Sequence, residues 1–421
     1  MSGPATLRCY FTLCLALAVG CGNDRTTGGD DTPPDPGSGP RFYEDVAPIL
    51  ATSCVQCHQP GGIAPFSLIS YEDATGVAEL IPNQVMTRSM PPWGADNSGS
   101  CNTFQDARWL ADDDIATIVA WANGDRLEGD PAAAPPLPPM PPPLSRVDAT
   151  AAMTESYIAD QTLSDDYRCF IVDPKVATDQ FLTGFEVRPG EPAVVHHILL
   201  FQLDTPEAET AAANLDAQSA GPGYTCFGGA GAAATLLGVW APGMRVGTYP
   251  ANTGLPVKGG RKMLIQIHYH NHGTPLADQT AVDLRLEPTV ADPSFLFLMP
   301  ATNLSLPPGL PSVATTNSLT LPGFIGQYNV WGVYPHMHTL GRTLRLETDH
   351  AGSSQCLIDV PRWDFNWQQG YFYDGPPKIV GGGDTLRITC THDTTSRTQT
   401  VTWGEGTEDE MCLAFAYVSQ Y

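Results

Sequence analysis

Seven of the ten histidines in this 421-residue chain fall in three clusters: His196-His197, His268-Tyr269-His270 with His272, and His336-Met337-His338. The first pair sits inside Val194-Val195-His196-His197-Ile198-Leu199-Leu200-Phe201, an apolar, β-prone run. Burying two adjacent imidazoles doubles a desolvation cost that packing alone does not return, and a metal ion is the simplest partner. Successive side chains on a strand face opposite ways, so His196 and His197 share an ion only where the strand twists, bulges or ends. The His-X-His patterns lie in strand-like runs, where residues i and i+2 share a face and can chelate one ion. Imidazole donors suit zinc and copper, and nitrogen alone does not choose between them. A thioether selects copper, and the candidates are Met263, Met337 and Met411. His350 and His392 stand alone among polar residues and are expected to be solvated.

A second chemistry lies upstream, in Cys54-Val55-Gln56-Cys57-His58. Two thiols separated by two residues reach the two vinyl groups of a haem, and the histidine that follows is placed to bind its iron axially, so the run reads as a c-type haem attachment signature. A zinc knuckle would need a second cysteine pair, and none is nearby. Between residues 41 and 130 His58 is the only histidine, and Met86 and Met90 are the only methionines. The sixth ligand is therefore Met90, Met86 or an open site. Met90-Pro91-Pro92-Trp93 makes a rigid loop suited to presenting the Met90 thioether, and a His/Met pair favours electron transfer over O₂ chemistry.

The elements that position these groups follow from pattern. Phe42, Val46, Ile49 and Leu50 recur at helical spacing ahead of Cys54, while Asp112-Asp113-Asp114 opens a run with Ile115, Ile118, Val119 and Trp121 that stops at Gly124. With the Gly61-Gly62-Ile63-Ala64-Pro65-Phe66 loop, residues 41–130 resemble the small all-α cytochrome c modules fused to large bacterial oxidoreductases. A proline-rich linker at 131–147 has polyproline II character and limits where such a module can dock. From Ser145 onward strands dominate, with candidates at 181–188, 194–201, 263–270, 282–286, 324–334, 343–348, 384–390, 398–403 and 411–417. About 275 residues of β pattern exceed one small sandwich, so the expected fold is multidomain: the all-α module, then two antiparallel, jelly-roll-like β-sandwiches at 148–288 and 289–421.

Composition bounds the rest. A formal charge of −24 argues against nucleic acid and against docking on anionic lipid head groups, both of which need Lys/Arg stripes. Residues 1–21 read as an export signal with an apolar core too short to span a bilayer, and Leu17-Ala18-Val19-Gly20-Cys21 is similar to a bacterial lipobox, with Cys21 the lipidation site. Residues 22–40 read as a flexible tether. The expected location is periplasmic or cell-surface, anchored to the outer membrane through lipid alone. Cys101, Cys169, Cys226, Cys356, Cys390 and Cys412 are then disulfide candidates with fifteen possible pairings.

The runs His196-His197, Gln266-Ile267-His268-Tyr269-His270-Asn271, His336-Met337-His338-Thr339-Leu340-Gly341-Arg342 and Asp409-Glu410-Met411-Cys412 occur in the order seen in the copper type II, ascorbate-dependent monooxygenases. That resemblance covers about residue 167 to the C-terminus. It implies two copper ions: His196, His197 and His268 hold the one that stores and relays an electron, and His336, His338 and Met411 hold the one where O₂ binds and hydrogen is abstracted. His270 falls outside that ligand pattern. The resemblance also implies Cys169–Cys226 and Cys390–Cys412 disulfides, with no counterpart for Cys101 or Cys356. In the peptide-hydroxylating branch an arginine two residues before His-X-His holds the substrate carboxylate. Here that position is Tyr334, and the Asn and Tyr that follow the methionine-cysteine pair are Leu413 and Phe415. These departures disfavour a peptide C-terminus and point to a less polar small molecule. The implied reaction consumes O₂ and two electrons; pairing of the two-copper module with a haem module on one chain makes one covalently bound haem c, fed by a redox protein or small reductant, the expected supply. A non-catalytic copper and haem electron carrier is the alternative, since fold does not fix function. A zinc hydrolase would lack its His-Glu-X-X-His helix and leave the haem unexplained.

Overall fold

The computed structural model describes residues 37, 39–60, 62, 64–139, 142–226, 229–242, 244, 246–271, 273–350, 352–404 and 408–421. The export signal, Cys21, His272 and most of the 22–40 tether lie outside these described residues.

Helices are concentrated before residue 124: Phe42–Val46, Ala47–Ser53, Tyr71–Gly76, Ile81–Met86 and Asp112–Asn123. Local chemistry explains their bounds. Ser70 and Asp73 close a capping box at the start of Tyr71–Gly76, and prolines occupy the first turns of Ala47–Ser53 and Ile81–Met86, where a missing N–H costs nothing. Three aspartates face the positive end of Asp112–Asn123, which stops at Gly124. Phe42, Leu50, Ile118 and Trp121 fill the core between them. The next stretch leaves this cluster, because Trp93, Ala95 and Phe104 are buried in one core with Met337, Leu344 and Ile358 of the C-terminal half. A disulfide joins Cys101 to Cys356. Packing of residues 93–104, rather than the proline linker alone, fixes the helices against the β structure.

The remainder is predominantly β, in several sheets. A five-stranded sheet sets Met263–His270 between Asp165–Val172 and Val195–Leu203, all antiparallel. It packs on strands Gln180–Arg188 and Ala281–Glu287 through Phe185, Ile198, Ile265 and Val282. Those two strands belong to a ten-stranded sheet that continues into the C-terminal half, where Thr253–Val257 pairs in parallel with Asp292–Pro300. In that half Tyr328–Met337 lies beside Cys412–Gln420, backed by a four-stranded sheet that includes Gly341–His350 and Thr385–His392.

Two expected strands differ, and one helix was not expected. The strand anticipated at 324–334 starts instead at Tyr328, because the Ile325 N–H turns back onto the Pro322 carbonyl and leaves Phe324 exposed. The one at 398–403 shrinks to Val401–Thr402. An unanticipated helix, Pro206–Gln218, is capped by Thr205 and built on alanines with little apolar stripe.

Candidate functional site

Residue pairing between Val195–Leu203 and Met263–His270 skips His196: His268 lies opposite His197 and Tyr269 opposite Val195. This bulge is what lets two neighbouring histidines serve one centre. The Nδ1 atoms of His196, His197 and His268 converge, at 3.2 Å for His196–His197, 3.0 Å for His196–His268 and 3.2 Å for His268–His197. His268 Nε2 donates to Asp165 Oδ1 at 2.8 Å, and His196 Nε2 to Asn366 Oδ1 at 3.1 Å. A carboxylate can only accept, so the His268 proton sits on Nε2 and its Nδ1 presents a bare lone pair. His196 is held in the same tautomer. Burial pushes all three imidazoles down, with the His268 neighbour adding to the effect at His196, which reaches about 4. Neutral nitrogens with facing lone pairs repel unless a cation lies between them. Metal–nitrogen bonds of about 2.0–2.1 Å at tetrahedral angles would space such nitrogens roughly 3.3 Å apart, so this donor set fits a metal.

Asp165 also accepts from His270 Nδ1 at 2.9 Å, which draws His270 outward to the carboxylate. Burial works against the Asp165 charge, but hydrogen bonds from His268, His270 and Ser164 hold its carboxyl well below the usual range. Tyr167 stacks on the His268 ring at 4.2 Å. Asp165→Asn is expected to weaken metal binding at this cluster about 10- to 100-fold, the usual cost of losing the partner behind a ligand; competition with a calibrated chelator measures it.

The second cluster presents the opposite ring atoms. His336 Nδ1 donates to Gln368 Oε1 at 2.6 Å and His338 Nδ1 to the Asp409 carbonyl at 3.2 Å, which leaves both Nε2 atoms as lone-pair donors. Burial and the neighbouring His338 push His336 down to about 3. Met411 precedes the Cys412–Gln420 strand, in which Leu413 pairs with His336 and Cys412 with Met337, so it lies level with His338. His197, His336, His338 and Met411 all line one cavity of about 240 Å³ whose other walls include Leu298, Leu413 and Phe415. Two imidazoles and a thioether form a softer donor set than the first, suited to copper rather than zinc.

Beneath Met411, the Glu410 carboxylate accepts from the backbone N–H groups of His338 and Met411 at 2.9 Å and of Leu340 at 3.0 Å. Burial outweighs these donors and pushes its carboxyl up to about 7. His392 is fully buried 3.8 Å from it, and His350 Nδ1 is 2.6 Å from Asp384 Oδ2. Both histidines were expected in solvent. Neighbouring polar residues hid the fact that His392 ends the inward face Leu386, Ile388, Cys390, His392 of an alternating strand.

Cys54, Cys57, His58 and Met90 line a separate cavity of about 430 Å³, within the roughly 300–1,000 Å³ range of cofactor sites. His58 Nδ1 donates to the Phe66 carbonyl at 3.1 Å, leaving Nε2 to bind a metal, and burial lowers its basicity. Met86 does not line this cavity and is 57% exposed. Two thiols, an imidazole and the Met90 thioether on one cavity wall are a donor set that fits a haem. The disulfides are Cys101–Cys356, Cys169–Cys226 and Cys390–Cys412, the last adjoining Met411.

Sequence reasoning missed Asp165, Phe365, Asn366 and Gln368, and gave Glu410 no role of its own. The signal it passed over was Trp363-Asp364-Phe365-Asn366-Trp367-Gln368-Gln369, an aromatic and amide-rich loop whose Phe365 ring lies 5.9 Å from His196, 6.1 Å from His268 and 6.3 Å from His338.

Residues 152–274 match the copper type II ascorbate-dependent monooxygenase N-terminal domain, and residues 314–421 match the C-terminal domain of that family. Tyramine beta-hydroxylase of Caenorhabditis briggsae is 27% identical over 254 residues, which are 55% of this chain and 40% of that protein. Peptidyl-glycine alpha-amidating monooxygenase of Mus musculus is 25% identical over 264 residues, 59% of this chain and 24% of that protein. The chain therefore spans less than half the length of either relative. Among solved structures, the major capsid protein P2 from bacteriophage PM2 is 10% identical with a TM-score of 0.26 over 65% of this chain and 97% of that one, too remote to bear on function.

Proposed function

Because the chain belongs to the copper type II ascorbate-dependent monooxygenases, both of whose domains it carries, we propose that it hydroxylates a C–H bond of a small, weakly polar molecule. The balance is one substrate, one O₂, two electrons and two protons, giving the alcohol and one water. One observation carries this reading: His197 of the first cluster and His336, His338 and Met411 of the second line a common cavity.

The residues divide the work. His196, His197 and His268 would hold one copper, their Nδ1 lone pairs facing one another, and His336, His338 and Met411 would hold the other. Copper at these positions would supply one-electron storage at the first cluster and O₂ chemistry at the second. Asp165 and Asn366 lock the tautomers of His268 and His196, Gln368 and the Asp409 carbonyl those of His336 and His338. Glu410 ties the Met411 segment to the backbone at His338 and so fixes the spacing of sulfur and imidazole. Leu298, Leu413 and Phe415 exclude water and offer apolar contact to substrate. Tyr334, which takes the position of a carboxylate-binding arginine, is a buried wall of the same cavity, so a peptide terminus has no cationic anchor there.

Cys54 and Cys57 would hold haem c by thioether bonds, His58 and Met90 would offer its iron an imidazole and a thioether, and the group would supply electrons from a redox protein or small reductant. The signal-like N-terminus and Cys21 support export and a lipid anchor at the bacterial cell surface or in the periplasm.

Metal and haem analysis of the purified protein, followed by O₂ uptake against a panel of small substrates, tests the proposal. Two coppers, one haem and substrate-dependent O₂ uptake are expected. Copper binding with haem redox cycling and no O₂ consumption would instead make it an electron carrier.

A further inference from the structure

We propose that residues 366–368 form a forked electron relay in which Trp367 receives electrons at the haem cavity and its two chain neighbours pass them to the two copper centres separately. This rests on the haem-and-copper reading above.

Trp367 belongs to the C-terminal half, yet it lines the cavity formed by Cys54, Cys57, His58 and Met90. On its N-terminal side, Asn366 Oδ1 accepts from His196 Nε2 at 3.1 Å. On its C-terminal side, Gln368 Oε1 accepts from His336 Nδ1 at 2.6 Å. From the haem cavity to a ligand ring of either centre, the route is therefore one indole, one peptide unit, one side-chain amide and one hydrogen bond, with no step through solvent. The two arms differ by one methylene, the Gln368 side chain being a carbon longer than that of Asn366.

The loop is held still for this task. Asp364 Oδ1 accepts from the Asn366 N–H at 2.9 Å and from its Nδ2 at 3.0 Å, which turns the amide oxygen toward His196. Gln368 Nε2 donates to the Phe365 carbonyl at 2.9 Å, which turns its oxygen toward His336. Arg362 donates to the carbonyls of Thr87 and Trp93, and Arg108 Nη2 to Gln369 Oε1, so the loop is registered against the chain that carries Met90. A segment serving only to pack the clusters would not need an aromatic side chain in the haem cavity between its two polar contacts.

The electron count fixes what the relay does. Each passage oxidises one ferrous haem to ferric and reduces one Cu(II) to Cu(I), with no proton or bond change at residues 366–368. Two passages supply the two electrons of a turnover, one to each centre, so the haem need not reach the O₂-binding centre by way of the three-histidine one.

The test uses the full-length, haem-bearing, copper-loaded chain under anaerobic conditions, with the haem reduced by a photoreductant and followed by its absorption while freeze-quenched samples report Cu(II) by electron paramagnetic resonance. Haem spectra and copper signals recorded before reduction establish that both groups are seated. Trp367→Leu is expected to slow loss of both Cu(II) signals by a common factor, and Trp367→Phe to restore most of the rate. Asn366→Leu should slow the three-histidine signal alone. Unchanged rates in Trp367→Leu, or an equal defect in Trp367→Phe, would overturn the relay. If the unaltered chain seats both groups and transfers no electron, the haem-supply reading falls and the relay with it.

Discussion

Met411→Ile is expected to abolish hydroxylation while leaving the three-histidine centre loaded. The substitution removes the one thioether facing the cavity and keeps an apolar side chain of similar volume, so the strand should tolerate it. Its backbone N–H still reaches Glu410, and Cys412 remains paired with Cys390 one residue away. The first cluster is built from other strands, Val195–Leu203 and Met263–His270, and does not depend on residue 411. Turnover should fall at least about a hundredfold, the upper limit for losing even a partner behind a ligand. Product formation, copper stoichiometry and the copper resonance signals measure the three consequences separately. Retained hydroxylation would remove Met411 from its assigned role.

The second large effect tests the proposed haem. The double substitution Cys54→Ser, Cys57→Ser removes both thioether donors, and covalent haem should drop to background on a denaturing gel stained for haem peroxidase activity. Phe42, Leu50, Ile118 and Trp121 are untouched, so the helices keep their core. Copper content should stay at two per chain, while turnover driven by a redox-protein donor should fall to background. A variant that keeps donor-driven turnover would show that electrons reach copper without the haem.

Much of the site was legible because its evidence is local. The Met263–His270 strand was placed residue for residue, since it is an apolar, β-prone run interrupted only by Gln266 before its histidines. The expected irregularity at His196-His197 appears as a bulge that follows from two neighbours having to face one point. What stayed hidden depends on contacts between distant positions. Asp165 lies 103 residues from His268, and Asn366 lies 170 residues from His196, so neither carries a spacing signal. The Cys101–Cys356 pairing is hidden for the same reason, across 255 residues. His392 differs: the alternating pattern of its strand was in the sequence and was overruled by its polar neighbours.

That long disulfide gives the chain a closed topology. The proline-rich linker at 131–147 lies between Cys101 and Cys356, so it is an arc of a covalent ring and not a bridge on which two halves depend. A protease that cuts the linker opens the ring without releasing either piece. On a non-reducing gel the nicked protein should run as one band, and with reductant as two. The segment with Cys54 and Cys57 and the segment with the histidine clusters thus stay joined after a cut between them.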